Sequence, residues 1–438
     1  LSDGLPSPRH TCDAADTIFA LASGAGRGAI SVVRLSGAGA GIVLKNLCET
    51  LPKPRQAALR LLRDASGNML DRALVLWMPG PASYTGEDVA ELHLHGGRAV
   101  LSAVTRTLLG QGARPAEPGE FTRRAFLAGR MDLLEAEAIA DLVNAETEAQ
   151  RRQALRQMSG ALGARLSGWS ARLRHILAFQ EALIDFPDED LPSNVEAGLL
   201  ADLRALAAEI AAEIARAPDA ERLREGVVVT IVGAPNVGKS SLLNALAKRD
   251  VAIIAATPGT TRDALEVRID LGGVPVTLID TAGLRETEDP VEKEGIRRAR
   301  ASAASADLVL CLVDARCPEE FPEADITIAN KTDLAPPPQG MPGVSVLTGD
   351  GLRKLEDLLS NAVAHLTNTG TDPVFTRARH AAAARDAAAA LSRAERSGLP
   401  ELRAENLRLA LNSLARITGA VDAEAILDDV FANFCIGK

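Results

Sequence analysis

Three short runs stand in one order along the chain, and together they restrict the fold more than any other feature. GAPNVGKS occupies 233–240, DTAG occupies 280–283 and NKTD occupies 330–333. The first run follows Val227 to Val232, a β-branched apolar stretch that predicts a buried strand. It precedes Lys239 to Leu246, which reads as a helix start, so the glycine-rich run sits in the strand–loop–helix setting of a phosphate-binding loop. Asp280 ends a second apolar run, Val274 to Ile279, and NKTD follows a third, Ile326 to Ala329.

The residue types explain the chemistry. Gly233 and Gly238 let the backbone turn its N–H groups onto phosphates, and the helix N-terminus adds partial positive charge. Lys239 can reach the β- and γ-phosphates, and the Ser240 hydroxyl is a hard oxygen ligand suited to Mg²⁺. Asp280 can hold that metal through water, and the Gly283 N–H can sense the γ-phosphate. The Asp333 carboxylate only accepts, so it matches the paired donors of guanine and penalises adenine. Asn330 can support the base loop, and the stem of Lys331 can cover the base. Val237, Ser241, Thr281 and Ala282 belong to the same expected nucleotide contacts. The ligand implied is GTP, hydrolysed to GDP and phosphate.

TPGTTRD lies between the first two runs, and a threonine that closes over γ-phosphate and Mg²⁺ is the usual switch device. Thr261 is the expected metal ligand, with Thr260 beside it. Ras-type sites orient water with a glutamine just after DTAG, but Leu284 stands there and cannot do so. Asn236 is a candidate ligand for a monovalent cation near the phosphates, and Glu292 a candidate to position water. Arg262 and Arg285 read as solvent-facing charges of the switch segments.

A chain of 438 residues is too long for one core, so two or three domains are expected. The net charge of −10 provides no bulk basic field for nucleic acid, so a nucleic-acid contact would need a local patch or a partner protein. Five cysteines without CxxC spacing argue against a disulfide framework or a zinc site and fit a reducing compartment. No apolar run approaches the ~18 residues of a membrane span. The first fifteen residues read as a polar tail rather than a signal peptide. Asp16 to about Arg130 mixes apolar runs, Ala29 to Leu35 and Ala73 to Trp77 among them, with turn residues, as a compact α/β domain would. Helical, Ala/Leu/Glu-rich sequence runs from Asp132 to about Phe186, breaks at 185–194, and resumes as a second long helix from Val195 to Arg216. Pro218 and Gly226 read as a linker into the nucleotide domain, and Ala-rich helical sequence returns at about Pro373. A GTPase inserted into a helical domain follows, the two helical flanks packing together because neither alone buries its apolar face.

The ends point to a family. The chain opens with DTIFALASGAGRGAISVVRLSG at 16–37 and closes with FCIGK at 434–438. Between them stand SYTGEDVAELHLHGG at 83–97 and PGEFTRRAFLAGRMDLLEAEAIADL at 118–142. These runs resemble the MnmE (TrmE) family of tRNA uridine-modification GTPases over nearly the whole chain. The resemblance implies a multidomain α/β protein: an N-terminal α+β folate-binding domain over residues 1–131, a discontinuous all-α helical domain from 132–220 and 371–438, and an inserted Ras-like P-loop GTPase domain over 221–370. It implies a constitutive homodimer in the cytoplasm, not bound to membrane, whose GTPase domains pair transiently across potassium. It also implies a hetero-oligomer with an MnmG (GidA)-like protein that carries FAD. Together they install a carboxymethylaminomethyl or aminomethyl group on the wobble uridine of certain tRNAs, with carbon from 5-formyl- or 5,10-methylene-tetrahydrofolate.

Carried residue by residue, the resemblance puts potassium on Asn236 and on the loop from Ala255 through Thr257 to Thr260, magnesium on Ser240 and Thr261, and water positioning on Glu292. Folate falls on Arg34, Glu91, Arg130 and Lys438, where a carboxylate can pair with a pteridine N–H edge and cations with a glutamate tail. Cys435 has two readings, a thiol near the folate or the uridine and a small residue filling a core. Tyr84 either lines the folate pocket or packs, and His93 and His95 share a strand face without an evident third metal ligand. The sequence departs from the family pattern at Arg130, usually lysine, and at Ala255, usually serine or threonine. Ser345-Val346-Leu347 replaces the SAK loop behind the guanine, and only about thirteen residues separate Arg316 from Asn330. Two other functions stay open: a ribosome-assembly GTPase, which would carry a basic RNA module such as a KH domain with its GXXG loop, and a folate-dependent transferase with the GTPase as a switch.

Overall fold

A computed structural model of the chain describes residues 16–24, 26, 28–185, 194–248, 266–280, 306–318, 324–368, 370, 375–421, 427, 430–432, 434 and 437. They fall into two compact units, residues 1–140 with 418–438, and residues 141–417.

The first unit is built on a six-stranded sheet. Its elements are β1 (Ile18–Leu21), β2 (Ile30–Ser36), α1 (Ala40–Cys48), β3 (Ala58–Arg63), β4 (Met69–Met78), β5 (Val89–His95), α2 (Arg98–Gly110), β6 (Arg114–Pro115) and α3 (Glu120–Leu127). The strand order is β3-β4-β5-β2-β1-β6, antiparallel except where β1 pairs with β6. Alternation along β2, β4 and β5 sends Val33, Leu35, Val75, Leu92 and Leu94 to one face, where Leu44, Leu47, Val104 and Leu108 of α1 and α2 close a core. The start of α4 (Leu133–Asn144) packs Leu133 and Ala136 against Leu427, Phe431 and Phe434. Two of the sequence runs therefore meet: a side chain on Gly119 of PGEF would lie 2.9 Å from both Phe431 and Phe434. Gly437 lies against the end of β1, where a Cβ on it would be 2.3 Å from the Leu21 carbonyl oxygen.

A charged network is buried beside β1. Arg114 holds Glu120 through two bonds of 2.9 and 2.6 Å, and Arg124 donates to Glu120 at 2.9 Å and to both oxygens of Glu87 at 3.1 Å. Ser36 also donates to Glu87 at 2.7 Å. Burial would raise the Glu120 carboxyl, but Arg114, the Glu117 N–H and Arg124 outweigh it and hold it below the usual carboxylate range.

The second unit joins helices to a second sheet. Its helical part holds α5 (Glu148–Met158), α6 (Ala161–Asp185) and α7 (Asn194–Glu225) before the sheet, and α10 (Ala378–Arg396) and α11 (Pro400–Thr418) after it. A reciprocal cap starts α5: Thr147 Oγ1 accepts from the Gln150 N–H, and the Gln150 side chain returns to Thr147. The flanks do pack together, with α7 lying along α10 and Trp169 of α6 edge-on to Phe375 at 6.4 Å. The expected linker at Pro218 is corrected: α7 runs through Pro218 to Glu225. Burial of Ala217, Ala220 and Leu223 on both sides offsets the one backbone bond that proline removes. Gly226 alone ends the helix, at φ +96°.

The sheet comprises β7 (Val227–Val232), β8 (Glu266–Leu271), β9 (Val274–Asp280), β10 (Leu308–Asp314) and β11 (Ile326–Asn330), with α8 (Lys239–Ala247) and α9 (Leu352–Leu366) on one face. Its order is β11-β10-β7-β9-β8, parallel except for the β8–β9 hairpin. Among the described residues no helix stands between β10 and β11, in keeping with the short spacing read from the sequence.

Glu120→Gln tests the buried network. The folded carboxyl titrates below its unfolded value of about 4.3, so its contribution is complete above that value and is lost as pH falls through the folded one. The variant should lose about 3 kcal/mol at neutral pH, and the gap from the parent should close in acid, as read by denaturant melts at several pH values.

Candidate nucleotide site

Strand register gathers the motifs. Ile231 of β7 lies beside Asp280 of β9, and Asp314 of β10 beside Asn330 of β11, so the carboxyl ends of four strands share one edge of the sheet. Gly233 leaves β7 at φ +143°, and a Cβ there would sit 2.1 Å from the Leu312 carbonyl oxygen, so only glycine fits. Gly238 caps α8 at φ +102°, 2.5 Å from the Asn330 amide nitrogen by the same measure.

Within this loop the Lys239 ammonium donates to the Gly233 and Ala234 carbonyls at 2.9 and 3.0 Å. Burial pushes it below the usual lysine range, against the pull of Asp280. It therefore crosses the mouth of the loop, where phosphate oxygens would replace the carbonyls as acceptors. Ser240 Oγ donates to the buried Asp280 Oδ2 at 2.5 Å. Two hard oxygens in contact at a helix N-terminus fit a magnesium ion. Ser241 is exposed on the first turn of α8, and Val237 is buried.

The base loop is tied to the phosphate loop. Asn330 Nδ2 donates to the Val237 carbonyl at 2.8 Å, and its Oδ1 accepts from the Val346 N–H at 3.2 Å. Lys331 Nζ donates to the Asn236 carbonyl at 2.9 Å and to Asp314 Oδ2 at 2.8 Å. Asp333 is exposed and accepts from Ser345 Oγ at 2.6 Å, which aims its carboxylate, while Leu347 projects into solvent. A cavity of about 300 Å³ borders Asn236, Asp314, Arg316, Cys317 and Lys331. Ala255, Thr257, Thr260, Thr261, Thr281, Ala282, Gly283 and Glu292 lie outside the described residues.

The first unit holds a second constellation. Arg34 and Glu91 face each other across β2 and β5, with Arg34 Nε donating to Glu91 Oε1 at 3.0 Å. The Arg34 guanidinium lies 5.6 Å from the Tyr84 ring centre and 5.9 Å from that of Phe121. Tyr84 Oη shares a 2.8 Å bond with Thr122, and burial pushes the phenol up. Tyr84 thus both packs and forms the wall beside Arg34. Arg130 is exposed, its stem against the loop of Tyr84, 3.7 Å from where a Cβ on Gly86 would be. His93 Nε2 lies 3.5 Å from Glu91 Oε2, whereas His95 turns to Asp71 at 2.7 Å, so the two histidines do not converge. Cys435 and Lys438 lie outside the described residues. Sequence reasoning missed Asp314, whose position at the end of an apolar strand matches that of Asp280, and Phe121 and Thr122, which sit inside the quoted PGEFTRR run.

The glycine-bounded Lys239 loop, the Ser240–Asp280 pair and the Asn330 loop, gathered at the carboxyl ends of parallel strands, have the layout of a P-loop GTPase. Residues 17–130 match the family model for the GTP-binding protein TrmE N-terminus, and residues 133–435 the model for the MnmE helical domain. The chain is 58% identical over 428 residues to the tRNA modification GTPase MnmE of Gluconacetobacter diazotrophicus, covering 96% of this chain and 98% of that protein. It is 53% identical over 437 residues to that of Granulibacter bethesdensis, covering 97% and 99%, and 54% over 430 residues to that of Acidiphilium cryptum, covering 97% and 99%. The chain belongs to the MnmE family of tRNA modification GTPases. No helix of the described residues is long and apolar enough to cross a membrane.

Asp333→Asn should exchange base preference. Asparagine offers one donor and one acceptor, which suit the C2 carbonyl and N1–H of xanthine but not the two donors of guanine. Competition binding should show guanine nucleotides weakened by about a hundredfold and xanthine nucleotides gained; unchanged guanine preference would remove Asp333 from the base site.

Proposed function

We propose that this chain is a potassium-activated GTPase that drives tRNA modification. With a FAD-containing, MnmG-like partner it serves to add a carboxymethylaminomethyl or aminomethyl group to the wobble uridine of certain tRNAs, the carbon coming from a tetrahydrofolate. What supports the reading is the Lys239 loop, the Ser240–Asp280 pair and the Asp333–Ser345 pair at one sheet edge, in a chain related over 96% of its length to a tRNA modification GTPase.

Ser240 and Thr261 would hold magnesium, which neutralises charge on the β- and γ-phosphate oxygens when bound. Lys239 adds a second cation there, and Glu292 would orient water. Asn236 supports the potassium reading: it is exposed, its backbone sits at φ +61°, and its carbonyl accepts from Lys331. Ala255, Thr257 and Thr260 would complete that cation's shell. Arg34, Glu91, Arg130 and Lys438 would hold the folate, and the aromatic walls of Tyr84 and Phe121 suit a flat heterocycle. Cys435 remains a candidate near the reacting carbon.

A homodimer through the first unit is supported by the open face of its sheet. Register puts Leu59, Leu74, His93 and Val32 in one row across four strands. Leu59 is 52% exposed, Leu74 40% and Ile30 61%, an apolar surface of the kind that marks an interface. The domains proposed are 1–131, 132–220 with 371–438, and 221–370; the compartment proposed is the cytoplasm.

Hydrolysis should run faster in KCl than in NaCl at equal ionic strength, and the rate per chain should rise with protein concentration. Equal rates in the two salts would sink the cation reading. Glu292→Ala should keep GTP binding and lose turnover by about a hundredfold, as measured by phosphate release; unaltered turnover would return Glu292 to an ordinary surface charge.

A further inference from the structure

Four described non-glycine residues hold a left-handed backbone, and two of them, Asn236 at φ +61° and Lys331 at φ +65°, touch each other in the nucleotide site. Lysine adopts such a conformation rarely, and there it persists only where surrounding contacts impose it. The contact here is the bond from Lys331 Nζ to the Asn236 carbonyl at 2.9 Å. By itself a lysine ammonium on a flexible stem is a poor clamp. The second partner of the ammonium is Asp314, at 2.8 Å.

Asp314 is itself tightly held. Arg316 donates through Nε to Oδ1 at 3.0 Å and through Nη2 to Oδ2 at 2.7 Å, and its backbone N–H reaches Oδ1 at 3.0 Å. The carboxylate is the last residue of β10, in register with Asn330, so the sheet places it one residue from Lys331 on the neighbouring strand. Arg316 and Lys331 hold its charge well below the usual carboxylate range. A fixed anion thus anchors the ammonium that ties the base loop to the phosphate loop.

We propose that Asp314 is a positioning residue of the GTPase site, acting through Lys331 to hold the Asn236 turn of the phosphate loop in its nucleotide-binding shape. No contact of Asp314 with the nucleotide is needed. Arg316 supports it from the solvent side, as a brace on the same carboxylate.

The test is release of a fluorescent GDP analogue from the full chain, in a double-mutant cycle. Asp314→Asn keeps the size and removes the charge, and should speed release roughly tenfold, the loss of one charged hydrogen bond. Lys331→Ala should speed it at least as much. With Lys331 already alanine, Asp314→Asn should add nothing, since its only route to the site is gone. Arg316→Ala, an exposed change that spares the strand, should speed release roughly threefold. Release unchanged by Asp314→Asn, or an equal effect of that change with and without Lys331, would overturn the proposal. Release unchanged by Arg316→Ala would remove the brace and count against it.

Discussion

The Asn330 side chain is the contact on which the nucleotide site depends. Its strand, β11, and the phosphate-loop strand, β7, are not neighbours, for β10 lies between them. One amide spans the gap: Nδ2 reaches the Val237 carbonyl, and Oδ1 takes the Val346 N–H. Three loops from different parts of the chain are thereby set at fixed distances: the one that holds Val237, the one that Asn330 opens and the one that holds Val346. Asn330 is nearly fully buried, so losing either bond would strand a polar atom in the interior at a cost of about 1–3 kcal/mol. The close approach also explains Gly238, since a side chain there would collide with that amide.

The first unit uses a comparable device with charges. Arg124 joins Glu87, which follows the Tyr84 loop, to Glu120, which opens α3. Both flanks of the Arg34 pocket are thereby held, because Tyr84 lies in that loop and Phe121 follows Glu120. Every partner carries several bonds, so the ions are compensated where burial alone would be costly.

The places of the 233–240 and 330–333 runs, directly after strands, were legible because each follows an apolar stretch. The strands themselves were legible from runs such as Val227 to Val232 and Ile326 to Ala329, apolar because helices or loops bury both faces. Pro218 misled because a breaker residue signals a local cost, whereas Ala220 and Leu223 carry a tertiary gain that no local signal reports. Asp314 was invisible because nothing local distinguishes a carboxylate after an apolar run from a solvated turn. Its partner Lys331 lies 17 positions away and reaches it only through the register of β10 and β11. The role of Tyr84 was undecidable for the same reason: Arg34 and Thr122 come from separate elements.

The central claim is that the nucleotide site of this chain drives modification of tRNA. The most direct measurement is nucleoside mass spectrometry of tRNA from cells lacking the chain, resupplied with the parent or with Lys239→Ala. The account predicts that the modified wobble uridine disappears without the chain, returns with the parent and fails to return with Lys239→Ala. Modified uridine that persists without the chain, or returns fully with Lys239→Ala, would contradict it.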